Sequence, residues 1–84
     1  MERVVKVIES DYLSSLAKLL MLIYLGYNRK KKLIKAGLSS SLVYTNLLKL
    51  VSKNLVIITE TGEITLTDKG KVEAEKLVKC LDNL

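Results

Sequence analysis

The 84 residues carry a net charge of +5, are 49% apolar, and include one cysteine and no histidine, phenylalanine, tryptophan or proline. That composition supports one small folded domain with an aliphatic core, and it excludes a disulfide framework, so a reducing, cytoplasmic setting is expected. Without histidine there is no Ser-His pair or histidine-ligated metal, and one cysteine builds no structural zinc site, so no enzyme, cofactor or metal is expected.

Residues 3 to 8, RVVKVI, are β-branched and fit either a short strand or the start of a helix. Residues 1 to 11 are charged and lead into no small-residue cleavage site, so no secretory signal is expected. Ser10 or Asp11 can cap a helix that runs to about Leu25, with Gly26 as its terminator. Leu13, Leu16, Ala17, Leu20, Ile23 and Tyr24 form one apolar stripe of that helix. Leu19, Met21, Leu22 and Leu25 fill much of the remaining circumference. A helix apolar most of the way round is buried on more than one side, and in so short a chain the second side is expected to face another subunit. The stretch Leu19 to Leu25 is far shorter than the about 20 residues a bilayer crossing needs, so no membrane partner is expected.

Asn28 can cap a second, short helix whose Leu33, Ile34 and Ala36 point inward. Gly37 follows where a helix end takes a positive φ. Ser39 is a good N-cap for a third helix reaching about Lys53. On it Val43, Leu47, Leu50 and Val51 share an inner face, and Asn46 lies toward the core. Ser40, Ser41, Tyr44, Thr45 and Ser52 lie outward, with Lys49 on a flank. Then the period changes. LVIIT and EITLT, separated by a turn with Thr61 and Gly62, read as a β-hairpin. Thr67 can cap a last helix over about 68–83, with Val72, Leu77, Val78, Leu81 and Leu84 on its apolar side and Cys80 on or beside it as a small buried side chain.

Charge is distributed unevenly. Residues 1 to 27 balance three basic against three acidic groups, and residues 54 to 84 net −2. Residues 28 to 53 hold Arg29, Lys30, Lys31, Lys32, Lys35, Lys49 and Lys53 with no acid. A segment that accumulates cations alone beside two helices joined by a glycine turn points to a polyanion, because such a pair can brace one helix for the major groove. A hairpin directly after it is placed to serve as a wing.

The stretch 29 to 77, and above all KAGLS at 35–39 and LTDKG at 66–70, resembles the small archaeal winged helix-turn-helix DNA-binding proteins. The resemblance implies an α+β winged helix-turn-helix: a three-helix core, a short β-hairpin wing and a C-terminal helix, in a single domain over 1–84. It also implies a homodimer, often joined through terminal helices, that binds double-stranded DNA in a nucleoid-associated role as a transcriptional regulator or a chromatin-type coat. Leu42 and Leu48 depart from the polar residues usual in the family's recognition helix. Glu60 and Glu63 stand where a DNA-gripping wing has Arg or Lys, so the two preceding helices are expected to supply most of the binding.

The candidate contacts follow. Arg29, Lys30, Lys31, Lys32 and Lys35 suit phosphates, against the alternative of a solvated charged face. Ser40, Ser41, Tyr44 and Thr45 can reach base edges, against the alternative of a polar surface that touches nothing. Ser39 is a cap whose turn amides can also meet a phosphate. Lys49 and Lys53 suit backbone contact or simple solvation. A protein-binding module on the same fold is the competing function, favoured by Glu60 and Glu63 and by Leu42 and Leu48 if these are exposed.

Overall fold

In the computed structural model, which describes residues 2–82 apart from residue 12, the chain runs α1 (Glu2–Glu9), α2 (Ser15–Tyr24), α3 (Lys30–Lys35), α4 (Ser40–Ser52), β1 (Val56–Ile58), β2 (Ile64–Leu66) and α5 (Asp68–Asp82). The protein is a small α+β chain: five helices and one antiparallel hairpin among the described residues. None of these helices is long and apolar enough to cross a membrane.

Packing decides the ambiguous first segment. Val7 is fully buried, and Val4 and Ile8 pack against the same core. Positions 4, 7 and 8 share one face of a helix, whereas a strand would divide them between two faces. α1 extends to Glu9 and so takes in the residues just before Ser10. The next helix starts at Ser15 and not after Ser10 or Asp11: Ser14 is its N-cap, its Oγ accepting from the Ala17 amide at 3.1 Å. The Lys18 ammonium reaches back and donates to the Ile8 carbonyl at 2.9 Å, satisfying an acceptor that the last turn of α1 leaves open.

α2 is the centre of the molecule. Leu19, Leu20, Met21, Leu22 and Ile23 are five consecutive buried residues, and α1, α4, α5 and β2 all pack on this helix. Its second apolar side is thus covered by the chain's own α1 and α5, which removes the reason for assigning that side to another subunit.

Three helices end alike. After α2, Gly26 donates to the Ile23 carbonyl and Tyr27 to that of Leu22; after α3, Gly37 donates to Ile34 and Leu38 to Leu33; after α4, Asn54 donates to Val51 and Leu55 to Leu50. Each is a Schellman closure, with a positive-φ residue at its hinge and an apolar residue folding back onto the last turn. Gly26 and Gly37 occupy two of the hinges, and Asn54, at φ 61°, occupies the third.

α3 is capped by position at Arg29 rather than Asn28. The Asn28 carbonyl instead accepts from the Ile64 amide at 2.8 Å, fastening the start of α3 to β2. Of the three residues expected to face inward, Leu33 is buried, Ala36 is partly buried and Ile34 is exposed, since fewer than two turns cover only a narrow stripe. On α4 the buried set is Val43, Asn46, Leu47 and Leu50, while Val51 lies exposed.

The hairpin pairs Val56 with Leu66, Ile57 with Thr65 and Ile58 with Ile64. Val56 and Ile64 are buried, and Ile57 points to solvent. Thr67 caps α5, its Oγ1 accepting from the Gly70 amide at 3.0 Å while donating to the Asn54 carbonyl at 2.7 Å. Gly70 then lies against the backbone of Leu55: a Cβ here would overlap the Leu55 carbonyl oxygen and stand 3.3 Å from Leu66 Cδ2. The LTDKG segment is therefore a cap followed by a close approach of backbone to backbone. α5 buries Gly70, Ala74, Val78 and Leu81, with Leu77 partly covered. Val72, expected inward, is exposed, as is Cys80, which is no buried apolar filler. Leu84 and residue 83 lie outside the described residues.

Candidate nucleic-acid interface

Leu33 is the buried residue of α3, so at 100° per residue the directions opposite to it belong to Lys31 and Lys35. Both are exposed, and neither has a hydrogen-bonding or ion-pair partner among the described residues. The other basic residues of this run are partly committed. Arg29 Nη1 donates to the Thr61 carbonyl at 2.9 Å, holding the turn of the hairpin against the start of α3. Lys32 Nζ lies 3.4 Å from Asn28 Oδ1. Lys30 Nζ sits 4.4 Å from the centroid of the Tyr44 ring, an attraction of about 0.5–1 kcal/mol at an exposed site. Two residues chosen separately as contacts, Lys30 on α3 and Tyr44 on α4, thus act on each other first.

On α4 the buried face leaves Ser41, Thr45, Leu48 and Ser52 directed outward. Ser40 and Tyr44 occupy the flank toward α3, and Lys49 with Leu42 the opposite flank. Ser39, Ser40, Ser41, Tyr44, Thr45 and Lys49 are all exposed. Ser39 stands at the N-cap position without making the side-chain cap bond: its Oγ pairs with Ser41 Oγ at 3.1 Å. No acid lies in the first turn of α4, so its open amides and the helix dipole present unneutralised positive potential. Val51, Leu42 and Leu48 complete the helix surface, Leu48 being 69% exposed in the middle of the outward face.

The structure brings together more than the charge pattern did. Arg29 ties the hairpin turn to the start of α3, and Lys30 ties α3 to α4 through Tyr44. Lys69, from the net acidic C-terminal third, donates to the Lys53 carbonyl at 3.3 Å and so adds a cation at the C-terminal end of α4. Nothing local in sequence signals that contact, because sixteen residues separate the two. Glu60 is exposed and Glu63 partly exposed in the hairpin turn, so that edge carries negative charge. Lys53, like Lys49, is exposed at the same end. The chain matches no protein-family model, no curated protein and no solved structure.

Proposed function

We propose that this chain is a winged helix-turn-helix protein that binds double-stranded DNA and regulates transcription, with α3 and α4 as the helix pair and β1–β2 as a short wing. The observation that carries the reading is the pair Lys31 and Lys35. These are two exposed, uncommitted cations on the outer face of α3, in a segment without acids, beside a helix whose outer face is polar apart from Leu48 and whose first turn is open. α4 enters the major groove with Ser41, Thr45 and Tyr44 toward base edges, and Leu48 is placed to meet a thymine methyl. Lys31, Lys35 and Lys49 hold phosphates, as do the α4 N-terminal amides at Ser39 to Ser41. Arg29 fixes the hairpin turn through Nη1 and keeps its other guanidinium N–H groups for a phosphate. The homodimer implied by the resemblance belongs to this proposal, with the half-site spacing set by its axis.

Fluorescence anisotropy with random-sequence duplexes across a salt series tests it. Affinity falls linearly in log salt with a slope of about −0.9 per phosphate neutralised, so the variant K31E/K35E lowers the slope by about two units or more. An unchanged slope in that variant refutes the site. Absence of duplex binding favours the second reading, a protein-binding module, for which the exposed Leu42 and Leu48 are the specific support. Sedimentation that shows only monomer at micromolar protein removes the dimer.

A further inference from the structure

On the side of α4 opposite its polar outer face, a groove of about 300 Å³ lies between the end of α1, the first turns of α2, and the turn leading into α4. Two of the polar side chains on its wall differ from ordinary surface groups. Asn46 is only 7% exposed, yet its amide has no hydrogen-bonding partner among the described residues. No described polar side-chain atom is sealed from solvent without a partner, so this amide reaches open space, and the space beside it is the groove. Its amide is therefore hydrated only through the groove, and a ligand that displaced that water would have to replace its hydrogen bonds. Lys18, on the same wall, is half-buried and donates to the Ile8 carbonyl, leaving two of its three ammonium hydrogens uncommitted. Among the described residues no carboxylate lines the groove, while Leu38, Leu42 and Val43 give it an apolar side.

We propose that this groove binds a small apolar monocarboxylic acid, with the carboxylate taken by Lys18 and Asn46 and the hydrocarbon body laid against Leu38, Leu42 and Val43. Lys18, the one cation among the described residues that line the groove, selects a single negative charge. The amide N–H adds a second donor to the same oxygen pair, and the volume, at the low end for small-molecule sites, suits a ligand of this size. The site does not depend on the DNA reading. Occupancy would bear on the turn before α4 and on its first half, and that consequence alone rests on it.

The test is an NMR titration of the ¹⁵N-labelled chain with benzoate and with hexanoate, using benzyl alcohol as the uncharged counterpart. Either acid is expected to move the amides of Leu19, Leu38, Val43 and Asn46 saturably, with benzyl alcohol weaker by about tenfold, the value of one charge-assisted hydrogen bond. Lys18→Met loses a similar factor. Asn46→Leu loses binding without lowering the melting temperature, because no hydrogen bond to another described residue is removed. Equal binding of benzyl alcohol and benzoate by the wild-type chain overturns the proposal. So do shifts confined to residues 29–35, the absence of saturable shifts with both acids, or an Asn46→Leu chain that melts lower and binds as before.

Discussion

Gly70→Ala sets two effects of known sign against each other. In a helix the change from glycine to alanine is worth about 1 kcal/mol of added stability. Here the new Cβ would overlap the Leu55 carbonyl oxygen and come within 3.0 Å of its carbon. Backbone cannot rotate away as a side-chain tip can, so α5 must retreat from the hairpin. That retreat strains the bond from the Thr67 amide to the same Leu55 carbonyl, 3.0 Å long, and loosens Ala74, Val78 and Leu81 against α2. Overpacking costs about 1–3 kcal/mol and the strained hydrogen bond about 1 kcal/mol, so after the helix-propensity gain the expected net loss is about 2 kcal/mol. For a domain of this size that lowers the melting temperature by roughly 8–16 °C. Circular dichroism melts, with urea titration to check that the transition remains two-state, measure it. A Gly70→Ala chain as stable as wild type or more so would show that α5 does not approach Leu55 as described, and the account of the LTDKG segment would fall with it.

Other substitutions probe the remaining local devices. Ser14→Ala removes the cap of α2 and should cost about 1 kcal/mol by urea titration, whereas Asp11→Ala should stay within about 0.5 kcal/mol. At the third helix closure, Asn54→Val places a β-branched side chain at positive φ and should cost about 1–2 kcal/mol, with Asn54→Gly near neutral. A double-mutant cycle with Lys30→Met and Tyr44→Leu should return a coupling of about 0.5–1 kcal/mol, and none if the two side chains do not meet in solution.

Much of the architecture was legible without coordinates where it depends on neighbours within a turn. The 3.6-residue pattern and the cap at Thr67 located α5, the glycines at 26 and 37 located two helix ends, and the change to β-type runs located the hairpin. The helix signals are short-range because the amides at the helix ends are satisfied by groups three to five residues away. The segregation of charge into residues 28 to 53 is likewise a property of the chain itself, as is the core-side position of Asn46. What tertiary structure alone decided is what lies across from each surface. Val7 made residues 2 to 9 a helix by packing on α2, and that helix displaced the cap from Ser10 or Asp11 to Ser14. The same packing, with α5, covered the side of α2 that composition alone would have given to a second subunit. Long-range contacts also drew Arg29 to Thr61 and Lys30 to Tyr44, leaving Lys31 and Lys35 as the uncommitted cations of the 29–35 run among the described residues, and they turned Cys80 outward. Periodicity tells how apolar a helix face is; only the packed chain determines which neighbour buries it.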